Sequence, residues 1–297
     1  MDRQCLVLKK DGGTKLVQIE KIYSEDFKGA NHSLQIQNAI EFARQNNTKT
    51  VLLADKSYNI TAPIIVREGV RLEFGHGTTF VVYGNFPVIE LERNAVLTGA
   101  YIAIDDAAFN SDVIRLDGKH KYYNVWNRTK IEELNVINWS GSHKGTGISL
   151  FSGGSGHEIS YVNFENVKIA GMATGMKLKA QKPATGMAWV NANRFTNASL
   201  DDCVTMIHME SGLTVPNECS GNQWTNLQIQ PSTATQKIAR ITGQYNRLEG
   251  MVWDLASIPH KNPIIDLTAA SDATDILIPS IPLNRISDNG TNNKIGR

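Results

Sequence analysis

Three basic side chains recur at matching places in a set of near-repeats: Lys177 in Gly175-Met176-Lys177-Leu178-Lys179, His208 in Met206-Ile207-His208-Met209-Glu210, and Arg240 in Ile238-Ala239-Arg240-Ile241. Like charges set side by side repel, so a row of Lys, His and Arg calls for an anionic partner. Arg and Lys meet carboxylate and phosphate through charge-assisted hydrogen bonds, which is the chemistry of binding an acidic or phosphate-bearing glycopolymer. Ser149 and Asp266 hold the same place in weaker copies on either side, and Lys179 and Glu210 stand two residues along. Arg115 and Asp117 of Val113-Ile114-Arg115-Leu116-Asp117 extend the two rows by a further copy. If Glu210 and Asp266 interleave with the cations, the row is instead an ordinary solvated face that also deters edge pairing.

Carboxylates offer a second chemistry. Asp201 and Asp202 precede Cys203 and lead into the segment that holds His208. Two acids can act as general acid and base on a glycosidic bond, and an inverting site holds its carboxyls ~6.5 to 9.5 Å apart. Adjacent residues of an extended strand point apart, so one of the two acting with Glu210 is the easier arrangement; the alternative is a turn or cap role. A lyase would need a basic residue and usually Ca²⁺ on carboxylates, and no compact acidic cluster offers that. Phe151, Trp139, Trp189 and Tyr161 are candidates for stacking on sugars, whereas Phe195 and Trp224 read as core. Serine-hydrolase, P-loop and dinucleotide motifs are absent, so neither a cofactor nor a metal is expected.

The 297 residues carry 30 Lys and Arg against 29 Asp and Glu, a net charge of +1. That balance argues against whole-surface attraction to nucleic acid or anionic membrane, so any charged ligand must be met locally. A hydrophobic fraction of 41% supports a real core. No apolar run reaches the ~18 residues of a membrane span, and Met1-Asp2-Arg3-Gln4-Cys5 lacks the apolar stretch of a signal peptide. Cys5, Cys203 and Cys219 are odd in number and outside CxxC spacing, which suggests neither disulfides nor zinc but synthesis in a reducing compartment.

The elements that must position these groups follow from periodicity. Ile36, Ala39, Ile40 and Ala43 recur at helical spacing behind Ser33, a candidate N-cap, and predict one amphipathic helix over about 33–45. Downstream come short β-branched runs such as Thr50-Val51-Leu52-Leu53 and Pro63-Ile64-Ile65-Val66, broken by Gly, Asn and Pro. One phrase then repeats: Asn163-Phe164-Glu165-Asn166-Val167, Arg194-Phe195-Thr196-Asn197-Ala198, Gln223-Trp224-Thr225-Asn226-Leu227, and more loosely Arg247-Leu248-Glu249-Gly250-Met251. Copies about 24 to 31 residues apart that hold only short strands mark a solenoid whose rungs bury a face against one another.

The fold class expected is therefore all-β, a single right-handed parallel β-helix with an N-terminal capping helix. Val167, Ala198, Leu227 and Met251 should form one interior column, and Ile148, Met176, Ile207, Ala239 and Ile265 another. Asn166, Asn197 and Asn226, with Gly250 after them, should sit at turns of positive φ, where stacked Asn side chains can bond from rung to rung. The division expected is an extended N-terminal segment (1–30), the β-helix (31–270) and an irregular C-terminal segment (271–297).

The order of features, from the helix Ile36-Gln37-Asn38-Ala39-Ile40-Glu41-Phe42-Ala43 through Thr50-Val51-Leu52-Leu53 and Ser57-Tyr58-Asn59-Ile60 to the repeats, resembles the pectate-lyase-like parallel β-helix family of phage tail spikes and preneck appendages. Many members carry Gly-Asp-Gly-x-x-Asp-Asp-Thr before the helix; here Lys28-Gly29-Ala30-Asn31-His32-Ser33 stands instead. The resemblance implies a phage or prophage tail component in the virion, a homotrimer, and a bacterial cell-surface polysaccharide or teichoic-acid-like ligand. Asp201-Asp202-Cys203 looks like the Gly-Asp-Asp-Cys motif of polygalacturonase-type glycosidases, with Leu200 in place of Gly. Three functions stay open on this reading. One is a binder using Arg115, Ser149, Phe151, Lys177, Lys179, His208 and Arg240. The others are a polysaccharide depolymerase using Asp201, Asp202 or Glu210, and a structural spacer of a tail or fibre.

Overall fold

The structure, a computed structural model, describes residues 6–10, 13–17, 21–46 and 48–296; Cys5 lies outside them. Apart from one α-helix, His32–Gln45, and short 3-10 turns, its regular structure is β-strand. Among the described residues, parallel neighbours build sheets of fifteen, nine and four strands, and Leu6–Lys10 forms a separate antiparallel hairpin with Gly13–Val17. Successive coils contribute a strand to each of the two larger sheets, and the four-stranded sheet closes only the coils of Tyr122–Tyr123, His157–Ser160, Ala188–Asn191 and Asn217–Glu218. This is a parallel β-helix. No helix among the described residues is long and apolar enough to cross a membrane.

The register shows why the repeats specify this coil. Ile131, Phe164, Phe195, Trp224, Leu248 and Ile276 face one another in turn across the fifteen-stranded sheet. Three of them form a buried aromatic pile: Phe164 and Phe195 stack at 4.5 Å, and Phe195 and Trp224 at 4.9 Å with their planes 4° apart. Ile148, Met176, Ile207, Ala239 and Ile265 form the expected column inside the nine-stranded sheet. Val167, Ala198 and Leu227 are buried likewise, but Met251 is not. The strand Arg247–Val252 has one residue fewer than its neighbour between Leu248 and Gly250, so Gly250 faces Leu227 while Met251 faces Gln228 and is 40% exposed.

Asparagine ladders bind the rungs. Asn166, Asn197 and Asn226 hold φ of 55°, 55° and 54°, a region Asn tolerates better than most residues. Their amides bond upward, Asn197 Nδ2 donating to Asn166 Oδ1 (3.1 Å) and Asn226 Nδ2 to Asn197 Oδ1 (2.7 Å). Gly250 does not continue this turn at positive φ; glycine is needed there because a Cβ would come 2.0 Å from the Leu227 carbonyl oxygen. A second ladder, of Asn193, Asn222 and Asn246, is buried. Asn222 Oδ1 accepts from Asn193 N (3.1 Å) and Asn246 Oδ1 from Asn222 N (2.9 Å), satisfying backbone donors at a corner where sheet pairing is interrupted.

The helix caps one end of the coil. Its N-cap is Asn31, whose side chain accepts from Leu34 N at 2.9 Å, rather than Ser33. Ser33 instead faces the coil, where its Oγ accepts from Thr61 N and Ala62 N. Ile36, Ala39, Ile40 and Ala43 are buried against the first rungs. Gln37 acts as a surrogate strand: Ile65 N donates to its Oε1 (2.8 Å), and its Nε2 donates to Ile65 O (3.2 Å). Ile65 lies in Ile64–Val66, the terminal strand of the nine-stranded sheet, so one amide satisfies part of an open edge. At the other end, residues 271–296 of the segment expected to be irregular prolong the coil. Asp275–Leu277, Ile286–Asp288 and Lys294–Ile295 each pair in parallel with a strand of the coil before. These strands are only two or three residues long, too short for an alternation to show, though Ile276 enters the core and Ile286 and Ile295 pack against it.

Candidate functional site

In a strand whose Ile, Met and Ala residues point inward, the residues between them must point out. Across the nine-stranded sheet the facing outward residues are Glu90, Arg115, Ser149, Lys177, His208, Arg240, Asp266 and Ser287, one per rung. Lys177, His208 and Arg240 therefore occupy three consecutive rungs, each ~4.8 Å from the next. A second row two residues along holds Asp117, Phe151, Lys179 and Glu210.

The carboxylates that might have neutralised the first row are committed elsewhere. Glu210 binds Lys179 (2.7 Å), and Asp266 binds Lys237 (2.8 Å). Among the described residues Lys177, His208 and Arg240 have neither an ion pair nor a side-chain hydrogen bond. The strain of this arrangement is visible at His208: burial first, then the charges of Lys177 and Arg240, push its imidazole pKa down. A positively charged neighbourhood thus resists adding a further proton.

At the upper end of the rows the charges are balanced. Arg115 lies 3.4 Å from Asp112 and 3.3 Å from Asp117, with its guanidinium 5.7 Å from the centre of the Phe151 ring. Glu90 takes His120 and Lys119, each at 2.9 Å, and the hydrogen bond from His120 leads the effects that bring its pKa down to about 2. Between this network and Lys177 lies a shallow depression of about 270 Å³, lined by Arg115, Ser149, Phe151, Lys177 and Lys179 together with Asp112. It offers cations, a hydroxyl and one aromatic face to a ligand lying along the coil axis.

The expected acids do not assemble. Asp201 and Asp202 stand at the corner where the fifteen-stranded sheet ends, while Glu210 closes the far end of Thr205–Glu210. That strand separates them by roughly 17 Å at ~3.3 Å per residue, well beyond the spacing of an inverting pair. Glu210 is moreover held by Lys179, whose hydrogen bond lowers its pKa. Sequence reasoning missed the partner that Asp202 does have. His143 reaches it from an earlier coil, Nε2 to Oδ2 at 2.9 Å, and no local motif signals a contact over 59 residues. Beside it the Asp201 carboxyl is raised, by burial and then by the Asp202 charge. Cys203 is buried, and desolvation pushes its thiol up to about 12, which leaves it unreactive.

The aromatic candidates are dispersed. Phe151 lines the depression, and Trp139 is 51% exposed beside Tyr101. Trp189 donates from Nε1 to Ser160 Oγ, and Tyr161 packs edge-on against Tyr123. Trp224 and Phe195 belong to the core pile.

No family model matches the chain, and no curated protein matches its sequence. Solved structures with a similar path include ORF18 of Geobacillus virus E2, 13% identical over 96% of this chain and 66% of that one, at a TM-score of 0.45. A tailspike protein mutant of E. coli bacteriophage HK620 is 11% identical over 99% of this chain and 70% of that one (TM-score 0.40). The surface protein and adhesin PfbA of Streptococcus pneumoniae is 10% identical over 93% of this chain and 97% of that one (TM-score 0.28). The chain thus spans 66% of the length of the Geobacillus virus protein. The class to which it belongs, the parallel β-helix proteins, is read from its own strand register.

Proposed function

We propose that the chain is a tail-spike or appendage component of a phage or prophage, and that it binds an anionic glycopolymer of the bacterial surface along the outward face of the nine-stranded sheet. The observation that carries this reading is the unpaired row Lys177, His208 and Arg240 on three consecutive rungs. A solitary anion would need one such group. Cations repeating along a coil axis suit a chain of carboxylates or phosphates laid parallel to it, as in an acidic polysaccharide or a teichoic-acid-like polymer. Phe151 and Ser149 supply a stacking face and a hydroxyl at the same surface. The virion setting and a homotrimeric assembly rest on the resemblance of the capping helix and first strands to phage spike modules.

A second reading, cleavage of the polymer, is favoured by the corner pair. A raised Asp201 carboxyl beside an Asp202 bonded to His143 sets two adjacent acids in unlike environments, as an acid–base couple requires. One assay separates the two. The protein is incubated with cell-wall glycopolymers and acidic polysaccharides from candidate hosts, and both retention and the release of new reducing or unsaturated ends are followed. Retention without ends, lost in Lys177→Ala with Arg240→Ala, is the expected result. Ends that vanish in Asp202→Asn would make the chain a depolymerase, and neither retention nor ends would leave it a spacer.

A further inference from the structure

Past the asparagine turns, the second half of the fifteen-stranded sheet has an outward face of its own. Its first row, one residue per rung, is Tyr101, Asn135, Lys168, Ser199, Gln228 and Met251. Two residues along, Ala103, Ile137, Ala170, Asp201 and Gln230 form a second row. An indole lies over each end. Trp139 is 51% exposed, and its ring centre is 6.4 Å from that of Tyr101 on the rung before. Trp253 is also 51% exposed, and its Nε1 donates to Gln228 Oε1 (2.7 Å), again on the rung before. Both rings thus lean over the first row toward the capped end. Four rungs separate them, roughly 19 Å at ~4.8 Å per rung, and Asp201 stands two rungs from either.

The end at Trp253 is made by the register change in Arg247–Val252. That change turns Met251 outward beside Trp253, where strict repetition would have buried it. Exposing an apolar side chain forfeits burial, and irregularities of this kind re-aim side chains where a strand meets a ligand. Between the ends the groups are polar and free: Asn135, Lys168 and Ser199 have neither an ion pair nor a side-chain hydrogen bond among the described residues. An interface between protein chains has a contiguous apolar centre, whereas here Asn135, Lys168, Ser199 and Asp201 part the two aromatic ends. One cation, Lys168, and one acid, Asp201, leave these rows without the charge excess of Lys177, His208 and Arg240.

We propose that this face is a second binding lane, for an uncharged oligosaccharide laid along the coil axis with its two ends stacked on Trp139 and Trp253. Asn135, Lys168 and Ser199 meet its hydroxyls in between. Sugars present an apolar ring face and a rim of hydroxyls in every unit, which is the pairing of indole ends and polar middle that this surface offers. An acidic chain would bring several charges to a single free cation. The lane crosses the Asp201 corner, so it names the ligand on which the cleavage reading would act, but binding requires no cleavage. It shares no residue with the Lys177 row, so either surface can fail alone.

The test follows the indole N–H signals of the chain's five tryptophans, with Trp139→Phe and Trp253→Phe to assign the two concerned. Cellopentaose, maltopentaose and mannopentaose are titrated separately, each beside its disaccharide. At least one pentasaccharide is expected to move both signals together and to bind about tenfold more tightly than its disaccharide, because only the longer chain reaches both rings. Trp139→Ala and Trp253→Ala should each erase that length advantage, while Lys177→Ala with Arg240→Ala should keep it. Shortening of the sugar during the titration reports cleavage separately from binding. The proposal is overturned if no pentasaccharide moves both signals, if the length advantage survives the loss of either tryptophan, or if pentagalacturonate binds as tightly as the best neutral chain. Signals that move with protein concentration instead, with a rise in mass by light scattering, would make the face a contact between copies and overturn it likewise.

Discussion

Lys177 and His208 face each other on adjacent strands of the nine-stranded sheet, and burial, aided by the Lys177 ammonium, holds the His208 imidazole below its ordinary pKa. The direction fixes a pH dependence. An imidazole neutral in the free protein takes up a proton when an anionic polymer screens its neighbours, so affinity for the polymer should rise as pH falls from neutrality through the His208 pKa. Removing the first cation by Lys177→Ala should move that pKa back up, read from the imidazole carbon-bound proton shifts. An unchanged titration in the variant would separate the two residues electrostatically.

Folding should respond to the same group with the opposite sense. A histidine whose folded pKa is depressed contributes nothing against unfolding above its ordinary value and costs stability as pH drops from about 6.5 through the depressed value. In chemical denaturation, His208→Gln should therefore lose less stability than the parent between pH 7 and pH 5.

Glu90 behaves in the reverse way. Its pKa of about 2, set foremost by the His120 hydrogen bond and aided by Lys119, makes it a stabilising group above the ordinary carboxylate range, and that stability is lost as pH falls through about 2. Glu90→Gln should flatten the acid limb of the stability profile relative to the parent while leaving the limb near His208 in place.

The two asparagine ladders should differ in cost. Asn222→Ala strands the buried backbone groups Asn193 N and Val190 O and should destabilise by about 2 to 4 kcal/mol. Asn197→Ala removes only exposed side-chain bonds but forces Ala to φ 55°, a cost of about 1 kcal/mol that Asn197→Gly should largely avoid. Urea denaturation of the three variants ranks them, and equal losses for the two Ala variants would contradict the ladder account.

The cap makes a further prediction. Gln37→Ala frees both backbone groups of Ile65 at the terminal strand and should cost about 1 to 2 kcal/mol, with increased self-association at that edge. Light scattering alongside denaturation distinguishes edge pairing from simple loss of stability.

The coil and its outward rows were legible because strand alternation is strict: once Met176, Ile207 and Ala239 are taken as interior, Lys177, His208 and Arg240 must share the opposite face. The same rule misplaced Met251, since a single missing residue shifts register without leaving a mark in composition. The buried ladder of Asn193, Asn222 and Asn246 stands one residue ahead of the repeated phrase, and its role follows from the fold, where each side chain meets backbone groups of a neighbouring coil. His143 and Asp202 meet across two turns of the solenoid, a contact set by coil lengths that vary from rung to rung.

The central claim is that Lys177, His208 and Arg240 form one anion-binding row. Its most direct test is the affinity of the protein for a defined polyanionic glycan, a polygalacturonate or a poly(ribitol phosphate), measured by calorimetry at low and high salt for the parent and for Lys177→Ala with Arg240→Ala. The account predicts binding that weakens steeply with salt in the parent and is reduced more than about tenfold, with a shallower salt response, in the variant. Equal affinity and equal salt response in the two proteins would contradict it.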